Sequence, residues 1–74
     1  MSTQKVKFSL DGHEHIALCD LLKLVGVADS GGQAKIIINE GYVLRNGVVE
    51  TRKTAKIRAD EVITLDDIEI YVSK

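Results

Sequence analysis

Residues 18–42 read LCDLLKLVGVADSGGQAKIIINEGY and predict two short helices in succession. Leucine and valine recur at helical spacing in the first part, which gives the first helix an apolar stripe of about three turns. Gly26 is suited to end that helix. The second helix begins at Ser30, which forms a capping box with Gln33, and Gly41 is suited to end it. The stretch therefore predicts a compact pair of helices.

The patterns on either side of the helix pair are those of strands. Residues 5–10 alternate polar and apolar side chains, as a half-buried strand does. After Gly41 the pattern changes to short strands, and Asn46-Gly47 is typical of a tight hairpin turn. The later strands are predicted at residues 42–45, 48–50, 55–57, 62–65 and 68–72. This order predicts an α+β fold with an N-terminal strand, a two-helix pair and then a small, mostly antiparallel sheet of short strands.

Length and composition predict one small domain over residues 1–74. The chain has 74 residues, of which 45% are hydrophobic and 28% charged, so it supports one thin core. The single cysteine, Cys19, cannot form an internal disulfide, and no secretion signal opens the chain. No apolar run approaches the roughly 20 residues that cross a bilayer. We expect a cytoplasmic protein without a membrane partner.

Charge is segregated along the chain although the formal net charge is only -1. Residues 30–58 hold six cationic and two acidic side chains, whereas residues 59–74 hold one cationic and five acidic side chains. Exposed charges more than about 8 Å apart are largely screened at physiological salt, so the local balance decides what binds. The basic middle segment is therefore a candidate anion site. The alternative is that it neighbours the acidic segment and the two neutralise each other.

The basic segment and the start of the second helix together suggest a surface for a phosphate backbone. Gly31 and Gly32 have no side chains, so a phosphate could approach the first N–H groups of the helix closely. The alternative for this glycine pair is a flexible entry to the helix. Positive charge would come from Lys35, Arg45, Arg52, Lys53 and Lys56.

Patterns for catalysis, metal binding and cofactor binding are missing from the sequence. His13 and His15 have the spacing of a ligand pair, but no second cluster of histidine or cysteine completes a zinc site. Cys19 has no partner histidine at a defined spacing, and no phosphate loop or dinucleotide fingerprint is present. We therefore expect a protein that is not an enzyme and that holds neither metal nor cofactor.

Four motifs in order resemble the alpha-L RNA-binding domain. They are LCDLLKL at residues 18–24, SGGQAK at 30–35, NEGYV at 39–43 and RNG at 45–47. That domain is carried by the small-subunit ribosomal protein S-four, by several pseudouridine synthases and by bacterial tyrosyl-tRNA synthetases. The resemblance covers residues 15–65, and the chain looks most like the short stand-alone bacterial members.

The resemblance implies an RNA-binding surface made from the start of the second helix and the hairpin after it. Ser30, Gly31, Gln33 and Lys35 match the helix-start contacts of the family, beside Gly32, and Arg45, Arg52, Lys53 and Lys56 match its basic hairpin positions. Two departures bear on affinity. Gly31 stands where larger members place an arginine, and Asp60-Glu61 stands where the family favours Gly-Asp, which brings two acids near the basic segment.

The sequence thus favours a non-enzymatic protein that grips the phosphate backbone of structured RNA, with ribosomal RNA the plausible target. Ribosomal proteins are a further class of partner, and a monomer is favoured. The alternative is a protein-interaction adaptor that docks basic partners through an acidic C-terminal face. That face would comprise Asp60, Glu61, Asp66, Asp67 and Glu69.

Overall fold

The computed structural model describes residues 3–74; Met1 and Ser2, which the predicted domain includes, lie outside the described residues. The two helices are α1 (Leu18–Leu24) and α2 (Gly31–Asn39). The strands are β1 (Gln4–Ser9), β2 (Ile16–Ala17), β3 (Val43–Arg45), β4 (Val48–Val49), β5 (Lys56–Ile57), β6 (Val62–Leu65) and β7 (Ile68–Ser73). The predicted order of elements is confirmed, with β2 as an addition.

The main sheet has five strands in the order β1-β7-β6-β3-β4. The N-terminal strand β1 runs parallel to β7, and every other neighbouring pair in this sheet is antiparallel. The α+β class with a mostly antiparallel sheet of short strands is therefore confirmed. β5 does not join this sheet: it pairs with β2 in a separate two-stranded sheet, where Ile16 lies opposite Ile57.

Both helices end where the sequence predicts. Gly26 and Gly41 have φ angles of +87° and +84°, the left-handed conformation that glycine adopts without strain. The N–H of Gly26 donates to Lys23 and that of Gly41 to Ile38, which satisfies carbonyls of each last turn. The predicted length of α1 was wrong, because seven residues make about two turns rather than three.

The core lies between the helix pair and one face of the main sheet. Side chains in β6 and β7 alternate between buried and more exposed positions, so one face of the sheet packs inward. The fully buried side chains include Leu18, Leu21, Leu22, Ile38, Val43, Ile57, Ile63 and Ile70. In the described part of the chain, neither helix has the length and apolar character that crossing a membrane requires.

Candidate nucleic-acid interface

An open groove of about 470 Å³ lies beside the turn that leads into β5. Four of its six lining residues are cationic. The lining residues are Arg45, Arg52, Thr54, Ala55, Lys56 and Arg58, and we call this surface the basic groove. A concave surface of this composition is suited to a polyanion.

The turn over residues 52–55 is fixed by its backbone to the start of α1. The N–H of Leu18 donates to the carbonyl of Ala55 at 2.9 Å, and that of Cys19 donates to the carbonyl of Lys53 at 3.1 Å. No side chain caps this helix, so the carbonyls of the turn satisfy N–H groups that the helix leaves free. Because the core leucines fix α1, they also fix the place of the basic turn.

Arg45, at the end of β3, is held by two carboxylates and one carbonyl. Its Nε and Nη2 donate to the two oxygens of Glu61 at 2.7 and 3.1 Å. Its Nη1 donates to Glu50 at 3.2 Å, and Nη2 also donates to the carbonyl of Lys56 at 2.9 Å. The hydrogen bond with Glu61 is the main cause that raises the pKa of Arg45. Arg45 therefore joins β3 to β5, with most of its donors used inside the protein.

Glu61 is the acceptor around which this side of the groove is built. Besides Arg45, it accepts from the N–H of Arg58 at 2.6 Å and from the amide of Asn46 at 3.2 Å. Burial alone would raise the pKa of Glu61, but the hydrogen bonds from Arg45 and Arg58 outweigh it, so the pKa is lowered. Asp60 adopts a φ of +71°, as expected where the family favours glycine.

The Asn46-Gly47 turn is a type I′ hairpin turn, as predicted. Both residues have positive φ angles, +53° and +87°. The side-chain oxygen of Asn46 also accepts from the N–H of Val62 at 2.9 Å. The turn is thus tied to the start of β6, which keeps Arg45 beside Glu61.

Glu50 bridges two of the three arginines of the groove, Arg45 and Arg52. Its carboxylate accepts from Nε and Nη2 of Arg52, each at 3.2 Å, and from the N–H of Arg52 at 3.3 Å, in addition to its contact with Arg45. The hydrogen bond from the Arg52 side chain is the main cause that lowers the pKa of Glu50 to about 2. The side chain of Glu50 is 12% exposed whereas that of Arg52 is 75% exposed, so Arg52 can exchange Glu50 for an outside anion more easily than Arg45 can.

The start of α2 forms the predicted cap with one change of partner. The Oγ of Ser30 accepts from the N–H of Gln33 at 3.2 Å, as a capping box requires. The side chain of Gln33, however, accepts from the N–H of Asp29 at 2.6 Å, one residue before the cap. A Cβ at Gly31 would meet nothing within 4 Å, and one at Gly32 would meet only the Oγ of Ser30 at 3.8 Å. Packing within the described chain therefore requires neither glycine.

The predicted site residues fall into two groups. Arg45, Arg52 and Lys56 line the basic groove, and Lys53 lies exposed in the same turn. The other group, at the start of α2, comprises Ser30, Gly31, Gly32, Gln33 and Lys35. Within residues 3–74, no hydrogen bond or ion pair joins these two groups.

Three residues were missed as site residues in the sequence: Arg58, which lines the groove, and Glu50 and Glu61, which pair with its arginines. Arg58 follows buried Ile57 and, with Lys56, flanks it in an exposed-buried-exposed alternation, which is the signal that could have found it. Glu50 and Glu61 hold the arginines, and no local pattern shows that role, because Glu61 meets Arg45 across sixteen positions of the sequence.

Comparisons with known proteins identify the family and the relatives of this chain. Residues 8–73 match the S4 domain family. The sequence is 56% identical over 65 residues to "Putative RNA-binding protein YbcJ" of Escherichia coli strain K12, and the match covers 88% of this chain and 93% of YbcJ. "Uncharacterized protein YbcJ" of Shigella flexneri matches with the same identity and coverage. The solution structure of YbcJ from E. coli is described as revealing an alfaL motif involved in RNA-binding. It superposes on this chain with a TM-score of 0.74 at 48% sequence identity, and the match covers 93% of this chain and 87% of that chain.

Proposed function

The chain belongs to the S4 domain family, and from this we propose that it is a non-enzymatic protein that binds the phosphate backbone of structured RNA, with ribosomal RNA as its target. The observation that carries the proposal is the basic groove, where exposed cations stand on a backbone anchored to α1. Phosphate contacts set position and supply most of the affinity, so little sequence readout is expected.

The cations of the groove differ in how freely they can meet a phosphate. Arg45 is committed to Glu61 and Glu50, so we assign it to organising the surface. Arg52 can exchange its carboxylate partner for a phosphate, since guanidinium binds both with the same fork of donors. Lys53 and Lys56 take part in no ion pair within the described residues. These three supply the charge for binding, and Lys35 adds to them at the start of α2.

The adaptor alternative receives less support from the geometry. The predicted acidic face includes Asp60 and Glu61, but the oxygens of Glu61 accept hydrogen bonds from the side chain of Arg45 and the backbone N–H of Arg58. Glu69 accepts from the hydroxyl of Tyr71 at 2.9 Å. The acidic residues therefore do not act as one free surface.

The salt dependence of RNA binding tests the proposal. If about three to five phosphates are neutralised, the log-log slope of affinity against salt is about -2 to -4. We expect the double variant Arg52→Gln, Lys53→Gln to flatten that slope by about 1 to 2 for a stem-loop RNA.

The matched control is Lys5→Gln with Lys7→Gln, which removes the same charge from β1, at the opposite edge of the main sheet from β4. The control should keep the slope of the unaltered protein. Equal slopes for both double variants would contradict the proposed surface, and thermal unfolding of each variant confirms that the fold is retained.

A further inference from the structure

A second groove, of about 500 Å³, adjoins the basic groove and shares one residue with it. The shared residue is Arg58. We call this surface the neighbouring groove; its lining includes Leu10, Gly12, His13, Glu14, Arg58 and Lys74. Arg58 therefore borders both grooves.

Arg58 is the one arginine among residues 3–74 whose guanidinium has no carboxylate partner. Arg45 and Arg52 both form ion pairs within 4.0 Å, whereas Arg58 forms none among residues 3–74. Its backbone is nevertheless fixed, because its N–H donates to Glu61 at 2.6 Å. A guanidinium on a fixed backbone with no internal competitor is well prepared to bind phosphate.

The lining of the neighbouring groove combines apolar residues, among them Leu10, with polar and charged ones. Leu10 is 4% exposed, and its N–H donates to the carbonyl of Ser73 at 2.8 Å, which ties this part of the chain to β7. Lys74 and His13 contribute hydrogen-bond donors to the lining, and Glu14 contributes a carboxylate. A lining of mixed apolar and donor groups suits a sugar or base together with its phosphate.

We propose that an RNA strand leaving the basic groove crosses Arg58 and places an unpaired nucleotide in the neighbouring groove. A base can enter a groove only when it is free of its helix, so the favoured ligand is RNA in which a single strand continues from a helix. This inference rests on the proposed function and adds the kind of RNA that the site selects.

Binding of paired RNAs tests the inference. The probes are a blunt stem-loop and the same stem-loop with a short single-stranded tail at its 3′ or its 5′ end. We expect the protein to bind one tailed form about tenfold more tightly than the blunt form. This is the increase in affinity expected from about one additional charge-assisted hydrogen bond. Arg58→Gln should weaken binding of both forms, because Arg58 lies on both grooves.

The double variant His13→Ala, Lys74→Gln should lose the gain from the tail and keep the affinity for the blunt form, while Lys5→Gln, Lys7→Gln keeps both. Equal binding of blunt and tailed RNA by the unaltered protein, or a tail gain that survives in His13→Ala, Lys74→Gln, overturns this inference. The proposed function would still stand if blunt RNA remained sensitive to Arg52→Gln, Lys53→Gln. If the double variant Arg52→Gln, Lys53→Gln bound blunt RNA as tightly as the unaltered protein does, both this inference and the proposed function would be overturned.

Discussion

At the scale of single residues, two carboxylates decide which cations of the basic groove are available. Arg45, whose side chain is 24% exposed, forms ion pairs with Glu61 and Glu50. Glu50 also pairs with the exposed Arg52. A half-buried guanidinium needs these partners, since leaving it unpaired would cost free energy. Glu61, one of the two acids that the sequence places near the basic segment, thus organises this surface together with Glu50.

Glu50→Gln should remove a pH-dependent part of the stability. The pKa of Glu50 falls from its ordinary value of 4.5 to about 2 in the folded chain, so its ion pairs stabilise the fold above about pH 4.5, and this stabilisation is lost as the pH falls toward 2. We expect the variant to lower the free energy of unfolding by about 1 to 2 kcal/mol at neutral pH, after allowance for screening at exposed Arg52.

The measurement is urea unfolding from pH 7 down to pH 3, with Glu14→Gln as the control. Glu14 is exposed and takes part in no ion pair within the described residues, so its variant should follow the unaltered protein. The difference between Glu50→Gln and the unaltered protein should shrink as the pH falls. A difference that stays constant with pH would show that the ion pairs do not stabilise the fold through the charge of Glu50.

Some residue roles could be predicted from the sequence, and others could not. Ser30 and Asn46-Gly47 act through neighbours a few positions away, so local patterns were enough to predict the cap and the turn. The pairing of Arg45 with Glu61 and the place of Arg58 between two grooves depend on distant segments meeting. Charge counting alone could not distinguish a committed arginine from a free one.

At the scale of elements, the start of α2 contains two glycines that the described fold does not need. Residues other than glycine would fit at Gly31 and Gly32, since a Cβ there meets at most one atom, at 3.8 Å. Glycine in a helix is less stable than alanine by about 1 kcal/mol. We propose that the free N–H groups at this helix start bind phosphate, a role that would account for the glycine pair.

Gly31→Ala and Gly32→Ala should therefore change the stability of the fold and the affinity for RNA in opposite directions. We expect each change to raise the free energy of unfolding by about 0.5 to 1 kcal/mol and to weaken RNA binding several-fold, because a methyl group holds the phosphate away from the backbone. Thermal unfolding and RNA titration measure the two effects.

The control is Asn39→Ala, at the exposed end of the same helix, which should also stabilise α2 and leave affinity unchanged. Stabilised glycine variants that bind RNA as well as the unaltered protein would show that the backbone at this helix start makes no close contact with phosphate.

The elements themselves were largely predictable because most of them carry local signals. Apolar spacing predicted both helices, and the positions of Gly26 and Gly41, which have positive φ angles in the structure, predicted their ends. The two-residue strand β2 has no such signal, since it exists only through its pairing with β5, about forty positions away. α1 is shorter than predicted, since it begins where the carbonyls of Lys53 and Ala55 receive its first N–H groups.

At the scale of the whole molecule, a chain of net charge -1 presents a basic surface because its charge is segregated. Folding brings Arg52, Lys56 and Arg58 around one groove. It also pairs Glu61, which belongs to the acidic segment, with Arg45. The net charge within about one Debye length of the surface, rather than the net charge of the whole chain, governs the attraction of a polyanion.

Amide chemical-shift mapping by NMR, with a stem-loop RNA titrated into the protein, tests the central claim most directly. We expect the largest shifts at residues 52–58 and 31–35, which hold the groove and the helix start, and negligible shifts along β1, where exposed Lys5 and Lys7 serve as an internal control for nonspecific attraction. Shifts of equal size along β1, or shifts that leave residues 52–58 unchanged, would contradict the assignment of the basic groove as the RNA-binding surface.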